Sequence, residues 1–276
     1  MRISTSSYSL HGTLGTPMYQ GDPRLGQLVN TQAARDGLDL LALPGRLAAH
    51  GIATLELCHF HLPAVDADYL GRLRTALDEA SVELFSLLID AGDIGHADDA
   101  QRQADAAWIA SWLQIAGRLG ASHARVAPGH TAPDETVIER VAGELAALSR
   151  VGQAHGVQVI TENWHAFNRE ADALLAVLDR CDEPVGLCAD FGNAEGENKY
   201  ALLGKLLPRA TSIHAKARYD DAGRIDGTDL ARCMDMAREA RFDGPVSLIY
   251  ADTSDEWAGL AVLHDVVRPY AQFASA

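Results

Sequence analysis

Eight short runs rich in β-branched and apolar residues punctuate the chain: RISTSS, IATLELC, VELFSLLI, HARVA, VQVITE, VGLCAD, TSIHAK and PVSLIY. Between them, the segments 66–80, 100–119, 134–155, 170–180, 197–207 and 228–240 repeat apolar residues at i, i+3, i+4 and i+7, the spacing of one helix face. A further helix is expected at about 38–50. Strict alternation of strand and helix requires parallel pairing, because a parallel neighbour is reached only through a crossover of a dozen or more residues. Eight such units suggest an α/β protein closed into a (β/α)8 TIM barrel, and 276 residues is a usual size for one such domain. An open doubly wound sheet is the alternative, but no GxGxxG turn follows the first strand, so its dinucleotide-binding version is unsupported. We therefore expect a single domain over residues 1–276. Residues 9–37, rich in Gly, Pro and polar side chains, form the longest gap and are a candidate lid loop.

Composition narrows the class of partner. A net charge of -15 and a pI near 5.0 argue against a nucleic-acid binder, which needs clustered Lys and Arg to neutralise phosphates. The substrate is expected to be a small molecule. The start, MRISTSSYSL, lacks the basic and apolar regions of a secretory signal, and no run approaches the ~20 apolar residues of a membrane span. A cytoplasmic protein is expected. Cys58, Cys181, Cys188 and Cys233 show no CxxC spacing and read as inert, reduced thiols.

In a barrel of this kind the site lies at the C-terminal ends of the strands, so the polar residues that close each apolar run matter most. They are Glu56, His59 and His61 on the second strand, Asp90 on the third, and His130 after the fourth. Glu162 and Asn163, with His165 beyond, follow on the fifth, Asp190 on the sixth, His214 and Lys216 on the seventh, and Tyr250 and Asp252 on the eighth. Glu162, Asp190 and His214 end three consecutive strands, and two carboxylates with one imidazole are a divalent-metal set. Mn2+ is favoured, with Mg2+, Co2+ or Zn2+ as alternatives.

The motifs ITEN at 160–163, CADFGNAEG at 188–196, SIHAKA at 212–217 and FDGPVSL at 242–248 resemble the xylose-isomerase-like barrels, which include sugar isomerases, ketose 3-epimerases and a keto-inositol dehydratase. The likeness spans nearly the whole chain. It implies that Glu162, Asp190 and His214 occupy three of the family's four metal positions. The fourth, a glutamate on the last strand, aligns with Ile249, which cannot ligate. In epimerase-type members the two metal-binding glutamates also serve as acid and base, and here only Glu162 remains. The resemblance also implies a possible dimer or tetramer.

The resulting expectation is a divalent-metal-dependent isomerase or epimerase acting on a small sugar-like carbonyl compound through an enediolate-type intermediate. Glu162, Lys216 and His59 are the candidate catalytic groups. His61, Asn163, His165, Asn193, Arg218 and Asp252 are candidate substrate contacts. His59 and His61, two apart, are expected on one face if the strand pattern continues. Trp164 and Phe167 are candidates for stacking on a sugar ring, whereas Trp108 and Trp112 read as core or subunit contacts. A dehydratase, and a sugar-binding barrel without catalysis, are the competing readings.

Overall fold

The computed structural model describes residues 1–19, 28–32, 37–220, 223–252 and 255–271. The eight runs are strands β1 (Arg2–Ser6), β4 (Thr54–Cys58), β5 (Glu83–Ile89), β6 (His123–Val126), β7 (Gln158–Glu162), β8 (Gly186–Asp190), β9 (Ser212–Lys216) and β10 (Pro245–Ile249). They pair in parallel, in sequence order, and β10 closes on β1 through Arg2↔Pro245 to Thr5↔Leu248. The protein is a single-domain (β/α)8 TIM barrel. Two further strands, β2 (Thr16–Tyr19) and β3 (Leu28–Gln32), form an antiparallel hairpin within the segment read as a lid. Residues 20–27 and 33–36 of that segment lie outside the described residues.

Helices α2 (Leu43–Ala49), α3 (Ala67–Ala80), α4 (Asp99–Leu119), α5 (Glu135–Ala154), α6 (Ala171–Arg180), α7 (Lys199–Leu206), α8 (Gly227–Glu239) and α9 (Glu256–Ala271) surround the barrel, after a single turn α1 (His11–Leu14). Aspartates start several of them. Asp66, Asp98 and Asp134 each accept a hydrogen bond from the backbone N–H three residues on, satisfying a donor that the first helical turn leaves unpaired. Among the described residues no helix is long and apolar enough to cross a membrane.

Strand side chains alternate between two environments. Outward residues such as Leu57, Leu87, Val126, Val159, Leu187, Ile213 and Leu248 join helix residues such as Leu73, Leu113, Leu145 and Leu263 in one continuous buried cluster. A smaller cluster consists of Phe85, Ile160 and Cys188. Phe85 is an extra residue on β5, where the register jumps from Leu55↔Leu84 to Glu56↔Ser86. Most other inward positions are polar. Ser4, Ser6, Glu56, Ser86, Ser212 and Ser247 are all fully buried, at sites where such barrels usually carry Val, Ile or Leu.

Candidate active site

The C-terminal ends of the strands surround a pocket of about 120 Å3. Glu162, Asp190, His214, Lys216 and Ile249 form one side, from four neighbouring strands. Ser6, Tyr8, Cys58, Leu88 and Asp90 form the other, and Arg125, Trp164 and Asn193 complete the wall.

His214 is the hub. Its Nδ1 lies 3.5 Å from Asp190 Oδ2 and 3.6 Å from Glu162 Oε1, while Nε2 is hydrogen-bonded to Glu56 Oε2 at 2.8 Å. Ligand-type atoms of Glu162, Cys188 and His214 all lie within 4.8 Å of one another, and Asp190 joins them through His214. Asp190 Oδ1 accepts the backbone N–H groups of Gly192 and Asn193, the tight turn that the FGN sequence provides. Burial opposes ionisation of both partners. For Asp190 it is outweighed by His214, Lys216 and the Asn193 N–H, so the carboxyl sits below its usual range. For His214 it is outweighed by Cys188, Glu56, Glu162 and Asp190, so the imidazole titrates well above ordinary histidines.

Arg125 is the residue that strand-end reasoning passed over. It is buried in β6, forms an ion pair through Nε with Glu162 Oε2 at 3.0 Å, hydrogen-bonds Asp90 through Nη2, and lies 4.6 Å from the Trp164 ring centre. Its signal was present: an arginine inside the apolar run HARVA can be buried only against carboxylates. Burial works against its charge, but Asp90 and Glu162 keep it firmly protonated. Tyr8, beyond β1, was also missed, because no apolar pattern distinguishes it from the following loop.

Asn193 Nδ2 donates to Glu162 Oε1 at 2.8 Å, and Lys216 Nζ donates to Asn193 Oδ1 at 3.3 Å. Asn163 lies behind the wall, tying its amide to the Asp190 backbone. His165, at φ 51°, stacks on Trp164 and meets His130, with ring centres 4.0 and 3.9 Å apart. Burial, then His130 and Arg125, push it down to about 4.

Six expected site residues do not line the pocket: Asn163 and His165, described above, and four others. His59–His61 is a turn of 3-10 helix rather than extended strand, so the two histidines do not share a face. His59 Nδ1 lies 3.2 Å from Leu88 O, and its ring meets Trp108 and Trp112. His61 turns instead to Ser7 and His11. Arg218 and Asp252 lie on exposed loops after β9 and β10. Phe167 is fully buried in the hydrophobic core, leaving Trp164 as the aromatic wall residue from that segment.

Charge decides what the pocket can hold. Among the described residues of the pocket, the carboxylates Asp90, Glu162, Asp190 and the underlying Glu56 outnumber Arg125 and Lys216 by two, so one negative charge stands uncompensated with His214 protonated and two once it gives up its proton. Buried charge of that sign is costly. A divalent cation beside Glu162, Asp190 and His214 Nδ1 would supply the missing charge, and the residues present fit one.

The model of the xylose isomerase-like TIM barrel family matches residues 44–264. The chain belongs to that family. A search of curated proteins finds no match. Among solved structures, this member of the family resembles an L-ribulose 3-epimerase, with 17% identity, TM-score 0.71 and coverage of 100% of this chain and 98% of the other. A xylose isomerase-like TIM barrel protein from Mycobacterium smegmatis in complex with magnesium gives 14%, 0.71, 99% and 98%. A probable 3-DHS dehydratase from Bacillus anthracis gives 14%, 0.68, 97% and 99%. At these identities the likeness is one of fold.

Proposed function

We propose that this barrel is a divalent-metal-dependent enzyme that moves a proton next to the carbonyl of a small polyhydroxylated substrate, in the manner of a sugar isomerase or epimerase. The observation that carries this reading is the convergence of Glu162, Asp190 and His214 beside a pocket whose carboxylates outnumber its lysine and arginine by two. Glu162, Asp190 and His214 would hold the ion, Mn2+ by preference for an oxygen-rich set, with Mg2+, Co2+ or Zn2+ as alternatives. When bound, the ion polarises the substrate carbonyl and stabilises the negative charge that develops as the neighbouring proton leaves. The epimerases among the similar structures support the same class of substrate.

Both Glu162 oxygens are engaged, one by Arg125 and one by Asn193. Held from both sides, the carboxylate is fixed beside Asp190 and His214, which favours a ligand role for Glu162. Lys216 is free to approach substrate from the pocket wall and is the proposed proton carrier, oriented by Asn193. Arg125 and Trp164 shape the floor and wall against which the substrate lies. Residues 9–37 are the proposed lid.

Ile249 favours a second reading. With an apolar wall where a second carboxylate would stand, a single carrier has to serve both proton steps. A lyase or dehydratase, in which one group takes the proton and returns it to a departing hydroxyl, needs no partner on the opposite face.

Metal analysis of protein purified without chelator tests the central claim, and near-stoichiometric divalent metal is expected. Only trace metal, with no binding of added Mn2+, Mg2+, Co2+ or Zn2+, sinks it. Glu162→Gln is expected to lose most of that metal. Solvent-deuterium exchange into ketoses and inososes, with loss of water scored separately, distinguishes isomerisation from dehydration.

A further inference from the structure

Glu56 lies beneath the pocket and has no part in the reading above. Cys58 lines the pocket, so Glu56, two residues earlier on β4, points inward one layer lower. The side chain is fully buried. An inward carboxylate is expensive to keep unless it serves a partner, and its hydrogen bond is to His214 Nε2 at 2.8 Å.

We propose that Glu56 is a positioning residue for His214, fixing from below which imidazole nitrogen is offered to the pocket; the inference rests on the metal-site reading. A neutral imidazole has one N–H and one bare nitrogen. A carboxylate only accepts, so the nitrogen facing Glu56 carries the hydrogen and Nδ1, facing Glu162 and Asp190, carries the lone pair. A metal ligand needs that tautomer, and outer carboxylates commonly impose it on ligating histidines. A glutamine at the same place could turn its amide and donate instead, which would stabilise the wrong tautomer.

The surroundings of Glu56 suit this role. By the same alternation, Ser86, Ser212 and Ser247 occupy the inward layer beneath Leu88, His214 and Ile249. All three are fully buried, and neither their Oγ atoms nor Glu56 Oε1 has a hydrogen-bond partner among the described residues. Hydroxyls can donate to a carboxylate directly or through water, whereas the usual alkyl filling cannot. The layer offers Glu56 polar neighbours in place of alkyl ones.

The test uses the full-length protein with Mn2+ alone as probe, titrated into metal-free wild type and Glu56→Gln, with Co2+ absorption spectra as a second readout. Glu56→Gln is expected to weaken Mn2+ binding roughly 10- to 100-fold and to alter the Co2+ spectrum, without lowering the melting temperature of the metal-free protein. Tight wild-type binding with affinity and spectrum unchanged in the variant overturns the role of Glu56 and leaves the metal site standing. Failure of the wild type to bind any divalent ion overturns both. Should Glu56→Gln not fold, Glu56→Asp, which withdraws the carboxylate by one methylene, carries the same comparison. A loss of about tenfold is then expected, and unchanged affinity is again the overturning result.

Discussion

Gly192 makes room for Lys216. A β-carbon at position 192 would lie 2.6 Å from Lys216 Cγ and 2.7 Å from Cδ, mid-chain atoms that cannot step aside without moving the ammonium group. Gly192→Ala is therefore expected to cut turnover at least ~10-fold, since displacing a proton carrier by about 1 Å can cost ~100-fold, while circular dichroism stays unchanged. Normal turnover would show that Lys216 need not lie where it does. His59 offers a test away from the pocket. Burial, only partly offset by Asp90, lowers it to about 4, and His61 is also lowered, by burial and then by His11 and His59. Both stay neutral in the fold but take up protons when unfolded, so stability is full above pH ~6.5 and falls as the pH drops toward 4. His59 alone should contribute about 3 kcal/mol to that loss by pH 4. Urea melts of wild type and His59→Gln across this range measure it, and parallel pH profiles would refute the assignment. The same histidines show where sequence reasoning stopped: the turn at 59–61 ended the two-residue period that placed them, and no local residue announces it.

The elements themselves were legible, because a fully buried parallel strand can be written only as a short apolar run and its crossover helix only with a 3.6-residue stripe. All eight strands fall where those runs lie. That Glu162, Asp190 and His214 face one pocket was legible for the same reason, since alternation fixes which residues face the barrel interior. Glu56 against His214 was not, because they belong to strands on different sides of the barrel, 158 positions apart, and cross-barrel height depends on stagger that no single strand encodes. α9 packs against the end of β10 with equally little latitude. A β-carbon on Gly259 would meet the Tyr250 ring at 2.3–2.5 Å. Gly259→Ala should destabilise the protein by about 1–3 kcal/mol through overpacking, read as an earlier urea midpoint. A wild-type midpoint would mean that the ring moves freely.

For the molecule as a whole, the proposed metal should be linked to the fold. An ion that binds the native barrel and not the unfolded chain stabilises it by about 2.7 kcal/mol at a hundredfold excess over its dissociation constant. For a domain of this size that raises the melting temperature by roughly 5–10 °C, and EDTA should reverse the shift. Identical melting curves with and without Mn2+ would count against the site. The division of side chains within each strand has a further consequence. The oil of this protein is a sleeve between barrel and helices, while the bore, apart from a small stopper of Phe85, Ile160 and Cys188 and the rim residues Cys58, Leu88 and Ile249, is lined mostly with oxygen and nitrogen. Folding energy and chemistry thus occupy opposite sides of the same strands, one residue out of step. The lining can be rewritten for a new substrate while the sleeve that holds the chain together is left as it is.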